Sequence, residues 1–169
     1  MNPGDQPLPA RDWATIEPMT AADLDQVMAI EQVSFRRPWT REGFLVELKR
    51  RPARCLVARQ GRNVCGYLVF WLIPPEIHVL NLAVRPDLRR RKIGRLLMEY
   101  MLEYGRDTGA GEVFLEVRTS NLAAQELYRS LGFSLSGRRR DYYAEDHEDA
   151  LIMAFSLDAP QKTFDGRAS

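Results

Sequence analysis

The stretch NLAVRPDLRRRKIGRLLM, residues 81–98, decides how the chain folds. An apolar run ends at Val84, a proline follows it, and four cations at positions 89–92 come directly before a helical pattern. Such a cluster at the junction of a strand and a helix allows three interpretations: a solvated turn, a contact for nucleic acid, or a site for a phosphate group. The flanking residues and the composition of the chain help to choose among them.

A strongly amphipathic helix follows the cations. Its apolar residues recur with the 3.6-residue period of an α-helix, and they are Ile93, Leu96, Leu97, Tyr100, Met101 and Tyr104. Before the cations, Ile77–Val84 is apolar on nearly both faces, which predicts a strand in the centre of a sheet. The segment is therefore a buried strand joined to a helix by a positively charged loop.

The remaining chain alternates between strand and helix patterns. Strand-like runs lie at 13–19, 55–58, 64–73, 113–117, 133–138 and 150–155, and helices are expected after the capping residues Thr20, Thr40 and Asn121. The predicted order, β-α-α-β-β-β-α-β-α-β-β, indicates an α/β fold with a mixed sheet and helices on both faces. We expect one domain over residues 13–157, between a flexible leader at 1–12 and a flexible tail at 158–169.

Composition argues against several classes of function. The chain has 169 residues, 45% of them apolar, and a net charge of +1, whereas a dedicated nucleic-acid-binding domain usually has a strong basic excess. No run approaches the length of a membrane span and the N-terminal stretch lacks a hydrophobic signal, so we expect no membrane contact and a cytoplasmic location. Cys55 and Cys65 are expected to be buried reduced thiols, and with only His78 and His147 as imidazoles we expect no metal site.

The physics of a helix N-terminus favours a phosphate at the charged loop. Backbone N–H groups of the first turn lack partners within the helix and the helix dipole is positive there, so anions bind readily at such ends. Arginine and lysine add charge-assisted hydrogen bonds, and Gly94 allows a ligand close to the backbone. An isolated run of cations is more often a solvated turn, but its position between a strand and a periodic helix favours the phosphate site.

The charged loop resembles the pyrophosphate-binding motif of the GCN5-related N-acetyltransferases, Q/R-x-x-G-x-G/A. Arg89–Gly94 matches the first and last positions, while Lys92 stands where the motif has glycine. The stretch VFLEVRTSNLAAQELYRSLGF, residues 113–133, is similar to a block found in the RimI group of that superfamily, whose F-P-W loop is also similar to SFRRPW at 34–39. RRRDYY, EDALIM and NLAV fit as well, so the resemblance covers residues 15–155.

This resemblance implies a single, mostly antiparallel acetyltransferase domain that uses acetyl-CoA as co-substrate and needs no metal. It implies that backbone groups of Leu82, Ala83 and Val84 bind the pantetheine arm and the thioester oxygen, beside a splayed part of the sheet. The diphosphate would lie on the charged loop, and a further contact would come from the helix cap Asn121. The loop residues that the resemblance assigns to the diphosphate are Arg89, Arg90, Arg91, Lys92, Ile93, Gly94 and Arg95.

Two residues are candidates for proton transfer. Glu116 is a carboxylate in an otherwise apolar strand, where we expect it to be buried, and the resemblance implies that it acts as general base, directly or through a water. The alternatives are a solvent-facing strand residue or an ion pair with Arg118. The resemblance assigns Tyr128 as general acid toward the sulfur of coenzyme A, although many such tyrosines are simply core aromatics.

The acceptor is the least determined part of the function. The RimI group acetylates N-terminal amines of proteins, which implies a protein N-terminus as the partner, and the resemblance points to the N-terminal alanine of a small-subunit ribosomal protein. Trp39, Tyr142 and Tyr143 either line a peptide groove or serve only in packing, and the acidic run at 145–149 either attracts a basic peptide or is a solvated turn. The alternatives are a lysine or small-amine acetyltransferase and a non-catalytic RNA- or ribosome-binding module.

Overall fold

A computed structural model describes residues 13–158 of the chain. The strands are β1 (Thr15–Pro18), β2 (Ala53–Gln60), β3 (Asn63–Ile73), β4 (Glu76–Val84), β5 (Glu112–Arg118), β6 (Ser134–Tyr143) and β7 (Glu148–Ser156). The helices are α1 (Leu24–Ser34), α2 (Arg41–Lys49), α3 (Ile93–Asp107) and α4 (Leu122–Leu131). The predicted order of strands and helices is confirmed. The expected leader, 1–12, and all but Asp158 of the expected tail lie outside the described residues.

The three predicted caps are present. Thr20 and Asp23 form a capping box, but its first turn is a short 3₁₀ helix and α1 begins only at Leu24. The Thr40 hydroxyl accepts a hydrogen bond from the Gly43 N–H at 3.1 Å, at the start of α2. Asn121 accepts one from the Ala124 N–H at 3.1 Å. Each cap satisfies an N–H group that the first helical turn leaves without a partner.

The strands form one seven-stranded sheet in the order β1-β2-β3-β4-β5-β7-β6. Every neighbouring pair is antiparallel except β4 and β5, which are parallel. The prediction of a mixed, mostly antiparallel sheet with β4 at its centre is therefore confirmed. The β4–β5 pairing is short, because it joins only Glu76–His78 to Glu112–Phe114.

A β-bulge in β4 changes which face each residue occupies. Val79 pairs with Phe70 and Asn81 pairs with Val69, so Leu80 is an extra residue on this strand. Before the bulge, Val79 packs in the core beneath α3, whereas Asn81 after it reaches Glu31 of α1 on the opposite face. The bulge therefore lies where β4 stops pairing with β5, and beyond it the alternation of side chains between the two faces of the sheet is reversed.

Two apolar cores lie on the two faces of the sheet. The helix α3 contributes Ile93, Leu97, Met98 and Met101 to the larger core, each 2% exposed or less. On the other face, α1 and α2 bury Leu24, Val27 and Phe44 against β3. Complete burial of one such side chain stabilises a fold by about 1.5–3 kcal/mol, so these two layers hold the helices on the sheet.

The two cysteines are free, as expected, although Cys55 is only half-buried while Cys65 is fully buried. Burial raises the pKa of the Cys55 thiol to about 12, so it stays protonated at neutral pH. Within residues 13–158 no helix is long and apolar enough to cross a membrane.

Candidate active site

The sheet opens between β4 and β5. Their ladder stops at His78 and Phe114, and the stretch Val79–Val84 has no strand partner on that side among the described strands. An open edge of this kind presents backbone N–H and C=O groups to whatever enters the gap. Leu82, Ala83 and Val84 lie on this edge, next to the start of α3, so the sheet does part beside the three residues expected to contact an extended ligand.

A shallow cleft continues the gap on the face that carries α1 and α2. Trp71 donates its indole N–H to Glu47 at 2.7 Å, and His78 stacks on Phe114 with ring centroids 5.7 Å apart. The His78 Nε2 also lies 2.7 Å from a Glu76 carboxylate oxygen. The cleft is lined by Trp71, His78, Val79, Leu80, Phe114, Leu115 and Glu116.

Glu116 stands at the mouth of this cleft and is not buried. Its side chain is 32% exposed and its Oε1 lies 3.5 Å from the Nε of Arg139. The expectation of burial was wrong because strand residues alternate between faces: Leu115 and Val117 point into the core, so Glu116 must point away from it. The ion pair is also with Arg139 and not with Arg118, which pairs with Asp146 and Glu148.

Tyr128 is the most enclosed of the candidate catalytic groups. It is 7% exposed and its ring packs on Phe133, with centroids 5.9 Å apart. Burial raises the pKa of the Tyr128 phenol, and the nearby Tyr143 hydroxyl adds to this effect. The phenol therefore keeps its proton at neutral pH, which is the state a general acid needs.

Tyr143 connects the two candidates. It influences the pKa of Tyr128, and Glu116 in turn acts on the pKa of Tyr143, so the three side chains share one electrostatic neighbourhood. Burial raises the pKa of Tyr143, and the Arg118 guanidinium, 3.8 Å from its ring centroid, opposes the rise. Tyr143, one of the predicted groove residues, is therefore coupled electrostatically to both candidates.

The loop before α3 has an unusual backbone. Arg90 and Lys92 both have φ of +65°, in the left-handed region that non-glycine residues seldom adopt. Lys92 precedes the right-handed helix α3 directly, and adjoining left- and right-handed residues form a concave set of N–H groups that binds anions. Lys92, which stands where the acetyltransferase motif has glycine, therefore has a left-handed backbone conformation that glycine adopts without strain.

The other residues of the charged loop differ in what their side chains do. Arg89 lies against the end of β4, donating to the Val84 carbonyl at 3.3 Å, whereas the Arg95 guanidinium donates to Ser130 of α4 at 2.6 Å. Ile93 is buried in the core. A Cβ on Gly94 would meet Leu127 at 3.4 Å, so its bare face lies between β4 and α4. The side chains of Arg89, Arg90, Arg91 and Lys92 are exposed.

The α1–α2 loop and the β6–β7 turn are joined by two short ion pairs. Arg36 meets Asp146 and Arg37 meets Glu145, each at 2.6 Å. The acidic run is therefore neutralised by arginines of the same chain, which weakens the idea that it attracts a basic peptide. Beside it, Tyr142 is 48% exposed and packs edge-on against Tyr143, whereas Trp39 is half-buried against Phe44.

A buried carboxylate network was not anticipated from the sequence. Glu31, on α1, is 1% exposed and accepts hydrogen bonds from the Trp39 N–H, the Tyr67 hydroxyl and the Asn81 amide. One signal could have revealed it, because Glu31 follows Leu24, Val27 and Met28 at the spacing of a single helical face. An acid on the apolar face of an amphipathic helix requires buried partners.

No cluster of His, Cys, Asp and Glu within residues 13–158 is arranged to hold a metal ion. The candidates for chemistry at the opening between β4 and β5 remain the side chains of Glu116 and Tyr128, the open edge of β4 and the N–H groups of the charged loop.

Comparison with known proteins gives consistent matches. The model of the acetyltransferase (GNAT) family matches residues 24–133. The [ribosomal protein bS18]-alanine N-acetyltransferase of Salmonella typhimurium is 35% identical over 145 residues, 85% of this chain and 97% of that protein. The N-alpha-acetyltransferase RimI of Mycobacterium tuberculosis is 37% identical over 145 residues, 82% of this chain and 90% of that protein.

A solved structure agrees with these matches. The crystal structure of the ribosomal-protein-S18-alanine N-acetyltransferase from Escherichia coli superposes with a TM-score of 0.80 at 31% identity. The superposition covers 89% of this chain and 97% of that one.

Proposed function

The chain belongs to the acetyltransferase (GNAT) family, and on that premise we propose that it acetylates the N-terminal α-amine of a protein. The proposed acceptor is the N-terminal alanine of small-subunit ribosomal protein S18, because relatives that match over most of both chains carry that activity in their names. The observation that carries the proposal is the opening between β4 and β5, with Glu116 on one side and the charged loop at one end.

The residues around the opening fit acetyl-CoA. The concave N–H groups at Lys92 and Ile93, with the surrounding cations, suit a diphosphate, and the free edge at Leu82–Val84 suits the amides of a pantetheine arm. Asn121 lies at the start of α4, where its remaining hydrogen-bonding capacity could serve the coenzyme while its Oδ1 caps the helix. Acetyl-CoA supplies an acetyl group activated as a thioester.

Three tasks fall to the protein. Glu116, partly exposed at the mouth of the cleft, takes a proton from the incoming ammonium group, directly or through a water. Backbone N–H groups on the open edge of β4 stabilise the negative charge that develops on the thioester oxygen. The amine nitrogen bonds to the acetyl carbon, the carbon–sulfur bond breaks, and Tyr128 gives its phenolic proton to the departing sulfur. The second proton that the nitrogen loses on becoming an amide restores the phenol.

The acceptor groove lies between the α1–α2 loop and the β6–β7 hairpin in this proposal. Trp39, Tyr142 and Tyr143 form its aromatic part, and the two arginine–carboxylate pairs join its two sides. The activity is proposed for the cytoplasm, where ribosomal proteins are made.

A pair of peptides tests the acceptor. A peptide with a free N-terminal alanine is expected to be acetylated, and the same peptide with a blocked N-terminus and one internal lysine is not. Mass spectrometry of both products with acetyl-CoA gives the answer. Equal rates on the two peptides would contradict the proposal and point to a lysine or small-amine acetyltransferase.

An RNA-binding role has less support. Among the arginines that could contact phosphates, Arg138 is paired with Asp149 at 2.6 Å and Arg139 with Glu116 at 3.5 Å. Retention on ribosomal RNA without any transfer of acetyl groups would favour that alternative.

A further inference from the structure

Glu31 is a buried carboxylate whose partners are all neutral groups. Its Oε1 accepts from the backbone N–H of Trp39 at 2.9 Å. Its Oε2 accepts from the Asn81 amide at 2.9 Å and from the Tyr67 hydroxyl. Burial, and then the nearby Glu31, raise the pKa of Tyr67, so the phenol remains a donor at neutral pH. A buried carboxylate is expensive to maintain without a paired cation, so its retention needs an explanation beyond packing.

The three donors come from parts of the molecule that must be in register for acetyl transfer. Trp39 belongs to the loop between α1 and α2, which forms one side of the proposed acceptor groove. Asn81 directly follows the bulge residue Leu80, at the point where β4 offers its free edge. Tyr67 lies on the neighbouring strand β3, and its ring contacts Phe44, which in turn contacts Trp39.

The amide of Asn81 shows that this arrangement has a cost. Its Oδ1 is the one fully buried side-chain oxygen or nitrogen within residues 13–158 that lacks a hydrogen-bond partner. Leaving such an atom unpaired destabilises a protein by about 1–3 kcal/mol. Turning the amide over would place Oδ1 against the Glu31 carboxylate, so the observed orientation serves Glu31.

We propose that Glu31 is a positioning residue for the acceptor. Through its hydrogen bonds it sets the distance between the α1–α2 loop, which contacts the acceptor, and β4, along which the acetyl group of the co-substrate would lie. This inference rests on the proposed function, since it needs the α1–α2 loop to contact the acceptor. Glu31 does not touch the reacting atoms, and the reaction still proceeds through Glu116 and Tyr128.

Replacement by leucine and by glutamine separates geometry from charge. Glu31→Leu keeps a similar volume and removes every acceptor. Glu31→Gln retains one oxygen for the Trp39 N–H, while its new amide can donate to the Tyr67 hydroxyl and to Asn81 after the Asn81 amide turns over. We therefore expect kcat/KM for the acceptor peptide to fall by roughly 10²-fold in Glu31→Leu, the effect typical of a small misplacement, with most of the activity restored in Glu31→Gln. The KM for acetyl-CoA should be unchanged in both.

Asp23 provides a matched control. It is also a buried carboxylate on the α1 side, 4% exposed, but it binds the Thr20 N–H at 2.8 Å and Arg59 at 2.6 Å, away from the loop that contains Trp39. Asp23→Leu is expected to lower the melting temperature at least as much as Glu31→Leu while leaving acceptor kcat/KM unchanged. All rates are measured on full-length protein below the melting transitions of the variants.

Hydrogen exchange gives a readout that does not depend on activity. The backbone N–H groups of residues 35–37, 39 and 40 are expected to exchange faster in Glu31→Leu than in the wild type, and at the wild-type rate in Asp23→Leu. If the two leucine variants lose acceptor kcat/KM equally, or if Glu31→Gln is as impaired as Glu31→Leu, the inference is wrong. If the wild type does not acetylate an N-terminal alanine, the proposed function fails instead, and exchange at 35–40 still decides whether Glu31 orders the loop.

Discussion

At the scale of single residues, Lys92 shows how a departure from a family motif is accommodated. Its φ of +65° places a side chain where the motif has glycine, directly before α3. The left-handed conformation costs a non-glycine residue about 1–2 kcal/mol, and the fold retains it because the loop must turn at this point. Lys92 still supplies its backbone N–H and adds a positive charge.

Lys92→Gly is expected to raise the free energy of unfolding by about 0.5–1 kcal/mol. The relief of strain is partly offset by the ~0.5–1 kcal/mol of additional backbone entropy that glycine loses on folding. Urea unfolding measures this change, and the thermal shift caused by acetyl-CoA should persist because the N–H group remains. Lys92→Ala is the control, since it removes the ammonium group and keeps the strain. Equal stability of the glycine and alanine variants would contradict the strain argument.

Substitutions of Glu116 and Tyr128 are expected to lower turnover without changing the affinity for acetyl-CoA or the stability of the fold. Tyr128→Phe keeps the buried ring and removes only the hydroxyl, so the melting temperature should hold while turnover falls by ~10²–10⁴-fold. Glu116→Gln should also lower turnover, with partial recovery at higher pH, because an α-amino group with a pKa of ~7.7–8.0 loses its own proton there.

Rate–pH profiles, together with acetyl-CoA affinity, measure both effects. Tyr104→Phe, which removes a phenol hydroxyl on α3 outside the proposed site, serves as the control. Rates near the wild type in both variants would leave positioning alone to explain catalysis.

At the scale of elements, the β6–β7 turn acquires its structure from arginines on other elements. Asp146 is bound both by Arg36 of the α1–α2 loop and by Arg118 at the end of β5. The charges look like a solvated run in the sequence because their partners lie far away along the chain. The Arg36 and Arg37 side chains are 77% and 72% exposed, so each of these pairs contributes little to stability.

Glu148 connects β7 to the end of β5 and should make the free energy of unfolding depend on pH in the acidic range. Hydrogen bonds from Ser120, and then Arg118, lower its pKa from 4.5 to about 2 in the folded protein. A lowered pKa stabilises the fold above the unfolded value, and this contribution is lost as pH falls from about 4.5 toward 2.

Glu148→Gln is therefore expected to be less stable than the wild type at pH 7. The difference should shrink through the interval between those two pKa values, because the protonated carboxyl group then resembles the amide. Urea unfolding at several pH values measures this difference, and a gap that stays constant down to pH 2 would contradict the assignment.

At the scale of the whole molecule, the proposed function depends on the point in the seven-stranded sheet where the neighbouring strands β4 and β5 part. The central position of β4 could be predicted because the strand is apolar on nearly both faces, and the helix α3 after it could be predicted from its 3.6-residue period. The depth of the opening could not, because it depends on the extra residue Leu80 and on the early end of the β4–β5 ladder.

Hydrogen exchange with and without acetyl-CoA tests this arrangement. Binding is expected to slow exchange at amides within 79–84 and 89–94 and to leave β1 and β2 unaffected, because only the first two segments face the proposed ligand. S-acetylpantetheine, which lacks the diphosphate, should protect the β4 edge but not the charged loop. Protection of neither segment by acetyl-CoA would refute the proposed binding site.

What the sequence determined by itself is local. The caps at Thr40 and Asn121, the 3.6-residue period of α3 and the order of elements follow from interactions between residues a few positions apart, which do not need the rest of the fold. Similarity of residues 113–133 to a family block likewise indicated the chemistry, although not which way each side chain faces.

Only the tertiary structure decided the details of the site. Glu116 is exposed because its neighbours Leu115 and Val117 point into the core. An apolar strand pattern alone does not determine which of the two faces is buried. Glu31 is buried because donors 36 and 50 positions further along the chain, on β3 and β4, meet it across the sheet. Such partners come together only when the strands pair and the helices pack, since a buried charge is tolerated only where long-range contacts satisfy it.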